Sequence, residues 1–98
     1  MSKLVRRFVA PVLVAMALAG GAATAASATI TYPPEGGTWD HGWNVNRVWS
    51  NYLHQNICHG STAVGQTTVS RTASAGNWSL ADARVKLAGN KAYYRTSC

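Results

Sequence analysis

Gly36-Gly37-Thr38-Trp39-Asp40-His41-Gly42-Trp43, followed closely by Trp49-Ser50-Asn51-Tyr52-Leu53-His54, holds three of the four tryptophans and two of the three histidines in the chain. From Thr38 to Trp43 the residues alternate, with Trp39, His41 and Trp43 on one side of a strand and Thr38, Asp40 and Gly42 on the other. Aromatic rings gathered this way build a core or a recognition face. The alternation states only that the three share a side.

The neighbouring run, Val45 to His54, is ambiguous by itself. Val45, Val48, Trp49, Tyr52 and Leu53 fit a helical stripe with Asn44 as its cap. Val, Trp and Tyr nevertheless favour strands, and Gly42 and Asn44 suit a turn. Periodicity alone selects a short helix, and the strand is adopted on the family resemblance described below.

The remaining segments read as β structure. Thr29 to Glu35 is extended, because tandem Pro33-Pro34 excludes a helix. Ser61–Val64 and Thr67–Thr72 flank Gly65-Gln66 as a hairpin. Ala81, Ala83, Val85 and Leu87 alternate with Asp82, Arg84 and Lys86, which predicts a strand with one buried and one wet face. Gly89-Asn90 then suits a two-residue turn from which Lys91 to Ser97 pairs back. The expected architecture is a small all-β sandwich of two short antiparallel sheets.

The N-terminus carries Lys3, Arg6 and Arg7, then an apolar run from Phe8 to Leu18, then Ala23-Thr24-Ala25 and Ala26-Ser27-Ala28. That order is a secretory signal peptide, cut after Ala28 or after Ala25, with an apolar run shorter than the ~20 residues a spanning helix needs. Expected boundaries are a signal peptide at 1–28, a Pro/Gly lead-in at 29–37 and a β domain at 38–98. Without the leader, six basic residues face three acidic ones, a net +3. The cations are scattered, so no nucleic-acid-binding patch is expected, and neither is a membrane-spanning segment after the leader is removed.

The 70 residues after Ala28 can build only a thin core. Cys58 and Cys98, the only cysteines, fit an intramolecular disulfide in an oxidising compartment, against free thiols or an intermolecular bridge. Closing a loop of that length contributes about 3.9 kcal/mol on the chain-entropy view.

The chemistry-bearing side chains are few. His41, His54 and His59 match no compact metal motif and read as surface or rim residues, so neither metal nor cofactor is expected. Glu35, Asp40 and Asp82 do not form the facing pair that a glycosidase needs, and no nucleophile turn is present. The chain is therefore read as a non-enzyme. No basic amphipathic helix supports pore formation. Asn77-Trp78-Ser79 matches a glycosylation sequon and is read as coincidence.

Glu35-Gly36-Gly37-Thr38-Trp39-Asp40-His41-Gly42-Trp43, Ser50-Asn51-Tyr52-Leu53-His54 and His59-Gly60-Ser61 resemble the N-terminal signature of the lactococcin 972 family of secreted bacteriocins. Trp78-Ser79-Leu80-Ala81 and Lys91-Ala92-Tyr93-Tyr94 resemble its C-terminal half, although the Cys58/Cys98 pair and the doubled glycine mark a departure from the type member. The resemblance implies two three-stranded antiparallel sheets. It also implies an unmodified antibacterial protein that binds the cell-wall precursor lipid II, blocks septum formation in related bacteria without pores, and relies on a dedicated immunity transporter in the producer. A homo-oligomer stays open. On this resemblance and their clustering, Trp39, His41, Trp43, Arg47, Asn51, Tyr52 and His54 are the expected ligand-binding residues. The alternative is a secreted, non-toxic module that binds cell wall or protein.

Overall fold

The computed structural model describes residues 13–17 and 26–98. Its strands are β1 (Leu13–Ala17), β2 (Ser27–Thr31), β3 (Thr38–Trp43), β4 (Arg47–Leu53), β5 (His59–Val64), β6 (Thr68–Ala73), β7 (Trp78–Arg84) and β8 (Lys91–Arg95). They form two antiparallel sheets, ordered β1-β8-β5-β6 and β2-β3-β4-β7. The segment from Thr38 onward supplies three strands to each sheet, as expected, and β1 and β2 each add one edge strand. Most of the expected leader lies outside the described residues. Only the backbone of β1, Ala26 and the first two residues of β2 fall on it.

The segment with two readings is a strand, and Asn44 decides it. Its side-chain oxygen accepts from the backbone amides of Asn46 and Arg47, both at 2.8 Å, which folds the chain into a turn instead of capping a helix. Val45 sits exposed at the tip. Along β4, Val48, Ser50 and Tyr52 then point inward, and Trp49, Asn51 and Leu53 point outward.

One expected hairpin does not form. β8 pairs with β5, not with β7, so the Gly89-Asn90 segment crosses between the sheets. Asn90 causes this by using both ends of its amide on one residue. It accepts from the Lys86 amide at 2.9 Å and donates to the Lys86 carbonyl at 2.8 Å. The backbone groups that would have continued a β7–β8 ladder are thereby satisfied inside the loop. Leu87, expected in the core, stands 81% exposed because β7 has already ended at Arg84. Ala81, Ala83 and Val85 are buried as the alternation requires.

Two buried clusters form the core. Trp43, Val48, Ala63, Ala81, Ala83 and Val85 pack at one end, and Trp39, Tyr52, Ala92 and Tyr94 at the other. Alanines on the facing strands leave room for the rings. Of the adjacent tyrosines only Tyr94 is fully inside.

Cys58 and Cys98 are disulfide-bonded, with Cα atoms 5.6 Å apart and 40 positions of chain between them. The bond ties the last residue to the start of β5. Replacing both cysteines with serine is expected to lower unfolding free energy by about 4 kcal/mol, measured by denaturant titration against the oxidised parent. A loss under about 1 kcal/mol would show that β8 is held by its ladder alone.

Candidate functional site

The inward face of β3 and β4 is aromatic and polar together. Trp39 stacks on His41 with centroids 3.7 Å apart, and its indole N–H donates to Ser50 Oγ at 2.9 Å. Ser50 passes the bond on, donating its own proton to the Tyr93 carbonyl on β8 at 2.6 Å. Ser61 does the same from β5, donating to the Ser79 carbonyl on β7 at 3.0 Å, while the Ser79 hydroxyl reaches the Arg71 carbonyl on β6 at 3.0 Å. Small hydroxyl side chains thus stitch one sheet to the other across the core. His59 is fully buried with both ring nitrogens against carbonyl oxygens, those of Ile57 at 2.8 Å and Asn77 at 2.7 Å.

The Gly36-Gly37 turn closes one end of the sandwich. Gly37, at φ +91°, allows the sharp reversal, and a side chain there would strike the Leu53 carbonyl. Tyr52 Oη donates to the Gly36 carbonyl at 2.5 Å, and the Glu35 carboxylate accepts from Tyr94 Oη at 2.7 Å. Burial, with the Glu35 charge adding, pushes the Tyr52 phenol up to about 12. Tyr94 is raised further, first by burial and then by its bond to Glu35.

The structure divides the expected binding residues between the two sides of one sheet. Trp39, His41, Trp43, Tyr52 and His54 are buried, at 9% exposure or less, so they do not form an open surface. The histidines are likewise core residues and not rim residues, with exposures of 1%, 6% and 0% for His41, His54 and His59. Among the described residues no group of three or more His, Cys, Asp or Glu side chains converges on a point. Of the seven expected contacts, only Arg47 and Asn51 lie on the outer face of the β2-β3-β4-β7 sheet.

That outer face has its own architecture, in which Trp49, Trp78, Leu80 and Asp82, passed over as contacts by sequence reasoning, join Arg47 and Asn51. The cross-strand rows there are Asp40–Asn51–Leu80 and Gly42–Trp49–Asp82. A Cβ at Gly42 would strike the Ser27 carbonyl of β2 and come within 2.8 Å of Trp49 Cζ2, so the missing side chain lets both β2 and the indole lie close against β3. The indole N–H donates to Asp40 Oδ1 at 3.0 Å, which fixes the ring from one edge. Arg47 bridges to Asp82 at 3.0 Å, and Trp78 and Leu80 are 42% and 60% exposed. The signal was present in the outward phase of Trp78, Leu80 and Asp82 on β7.

The molecule is a small disulfide-linked β-sandwich with an aromatic, hydroxyl-stitched core and a tryptophan-bearing outer sheet face. A family model for the lactococcin 972 bacteriocins matches residues 35–94. The chain belongs to that family. No curated protein and no solved structure gives a significant match to it.

Two outcomes follow from this geometry. Ser50→Ala leaves the Trp39 indole N–H buried without a partner and removes the link to the Tyr93 carbonyl, and is expected to cost about 2 kcal/mol by denaturant unfolding. A cost below about 1 kcal/mol would mean that the sheets are not held through this hydroxyl. His41 lies below its ordinary value of 6.5 because burial disfavours the imidazolium, an effect that the neighbouring Asp40 charge partly opposes. The unfolded chain therefore binds a proton that the folded one resists. Stability is retained above about 6.5 and falls as the pH drops below it. The fall should be smaller in His41→Gln when thermal unfolding is compared between about pH 8 and about pH 5.

Proposed function

We propose that the chain is a secreted antibacterial protein that binds a cell-wall precursor such as lipid II and stops septum and wall synthesis in related dividing bacteria. Family membership over residues 35–94 carries this reading. On it, residues 1–28 are a removable signal peptide, 29–37 a lead-in and 38–98 the active domain, and a dedicated transporter protects the producer. β2 runs from Ser27 to Thr31, so cutting after Ala28 would leave Thr29–Thr31 against β3.

The mode of action is recognition, without catalysis. Among the described residues no helix is long and apolar enough to cross a membrane. A precursor with sugars and a pyrophosphate outside the bilayer offers groups that aromatic rings and guanidinium ions bind. Arg47 and Asn51 are assigned to contact. Trp39, His41, Trp43, Tyr52 and His54 act from behind as the buried packing under β3 and β4.

The test is capture of lipid II by the oxidised mature protein, together with growth inhibition of dividing relatives. Retained lipid II and cells that elongate without septa are expected. Folded protein that captures no lipid II and leaves septation normal would sink the reading and favour a non-toxic wall- or protein-binding module.

A further inference from the structure

Two hollows lie on the outer side of β4 and β7, and a third adjoins them at the β3–β4 turn end of the sandwich. The first, about 190 Å³, is lined by Asp40, Asn51, Trp78 and Leu80. The second, about 450 Å³, shares Asn51 and Leu80 with it and adds Trp49, Asp82 and Arg47. The third, about 290 Å³, shares Arg47 and adds Arg84 and Gln66. The shared residues make the three neighbours in one shallow groove region, aromatic on one side and cationic on the other.

Each side has a chemical preference. The Trp49 indole lies close over Gly42, is tied at one edge by Asp40 and lines the second hollow. A flat, immobilised indole beside an amide and carboxylates suits a pyranose, whose C–H face stacks while its hydroxyls bond at the rim. On the other side Arg47 and Arg84 are direct cross-strand partners, both exposed. Like charges placed directly opposite repel. Among the described residues Asp82 bridges Arg47 alone, at 3.0 Å, and so offsets only one of the two guanidinium charges. An anion with several acceptor oxygens between them would relieve the repulsion and take charge-assisted bonds from both. Trp49 and Arg47 are two residues apart on one strand, about 6.6 Å along it, a span that one glycosyl phosphate covers.

We propose that this groove binds a glycosyl phosphate, with its sugar ring on Trp49 and its phosphate between Arg47 and Arg84. The proposal rests on the lipid II reading for its source, the lipid-linked wall precursor. It differs from that reading in naming the sheet face, the orientation and two residues, Trp49 and Arg84, outside the expected site.

The probe is N-acetylglucosamine 1-phosphate, titrated into the oxidised mature protein and followed by amide chemical shifts, with N-acetylglucosamine and inorganic phosphate titrated in parallel. The intact probe should bind at least about ten-fold tighter than either half, with shifts on β4 and β7. Trp49→Ala should weaken the probe and the free sugar alike, about ten-fold. Arg84→Gln should remove the advantage of probe over sugar, together with its salt dependence. Both sites are on the outer face, and a cooperative unfolding transition within a few degrees of the parent is the folding check. If that check fails for Trp49→Ala, Trp49→Phe replaces it, with weaker but measurable loss expected. Absence of probe binding at millimolar concentration, equal affinity for probe and sugar, or unchanged binding in both variants would overturn the proposal. Capture of lipid II by the folded variants at parental strength would overturn the groove while leaving the antibacterial reading standing. Probe binding through Trp49 and Arg84 in a protein that captures no lipid II would do the reverse.

Discussion

The fold depends on one relay, from the Trp39 indole to the Ser50 hydroxyl to the Tyr93 carbonyl. A domain with so little aliphatic bulk cannot hold two sheets together by apolar burial alone. Its core is a slab of rings with alanines opposite, and rings bring polar edges that must find partners when water is excluded. A serine hydroxyl accepts from one side and donates to the other, so one small side chain satisfies a buried indole and a carbonyl from the opposite sheet. Ser61 and Ser79 repeat the device at the other seam, joining β5, β7 and β6. The cost of an aromatic core is thereby converted into inter-sheet registration. Where the device is missing, polar atoms stay unpaired, and His41 Nδ1 and Trp43 Nε1 are two such atoms among the described residues.

Much of this was legible in the amino-acid order, and the failures have physical causes. Period-two alternation identified β3 and most of β7 and named correctly which residues travel together. It could not say which of two faces is inside, because Trp39, His41 and Trp43 suit a ligand surface as well as a core. The deciding information lay across the sheet. Ser50 supplies the acceptor that lets Trp39 be buried, and Gly42 supplies the flat ground that lets Trp49 stay outside. The β7–β8 pairing was misjudged because Gly89-Asn90 is a good hairpin signal locally. The Asn90 amide closes on Lys86 instead, a contact four residues long that only the folded loop reveals. Asn44 shows the same ambiguity resolved the other way, since one side chain that could cap a helix turned the chain into a hairpin.

Family membership and geometry meet on a division of labour within one sheet. The inward side of β3 and β4 is committed to structure, with buried rings, a buried imidazole and hydroxyl links. The outward side keeps its tryptophan, amide and guanidinium groups free of the core. The two share strands, because Trp39 and Tyr52 pack on the inward side of the same β3–β4 pair that carries Trp49 outward. A change to the aromatic core therefore acts on the outer face without touching any ligand.

The disulfide has a topological meaning as well as an energetic one. Joining Cys58 to Cys98 makes β5, β6, β7 and β8 a closed covalent ring, with the β3–β4 hairpin attached as a single arm. Of the six basic residues after position 28, Arg71, Arg84, Lys86, Lys91 and Arg95 lie within the ring and only Arg47 lies outside it. A protease that cuts once after any of the five opens the ring but frees no fragment, and the strands on either side of the cut remain tethered and able to re-pair. In the one arm where a single cut would sever the chain, the basic residue is bound by Asp82 against a neighbouring strand.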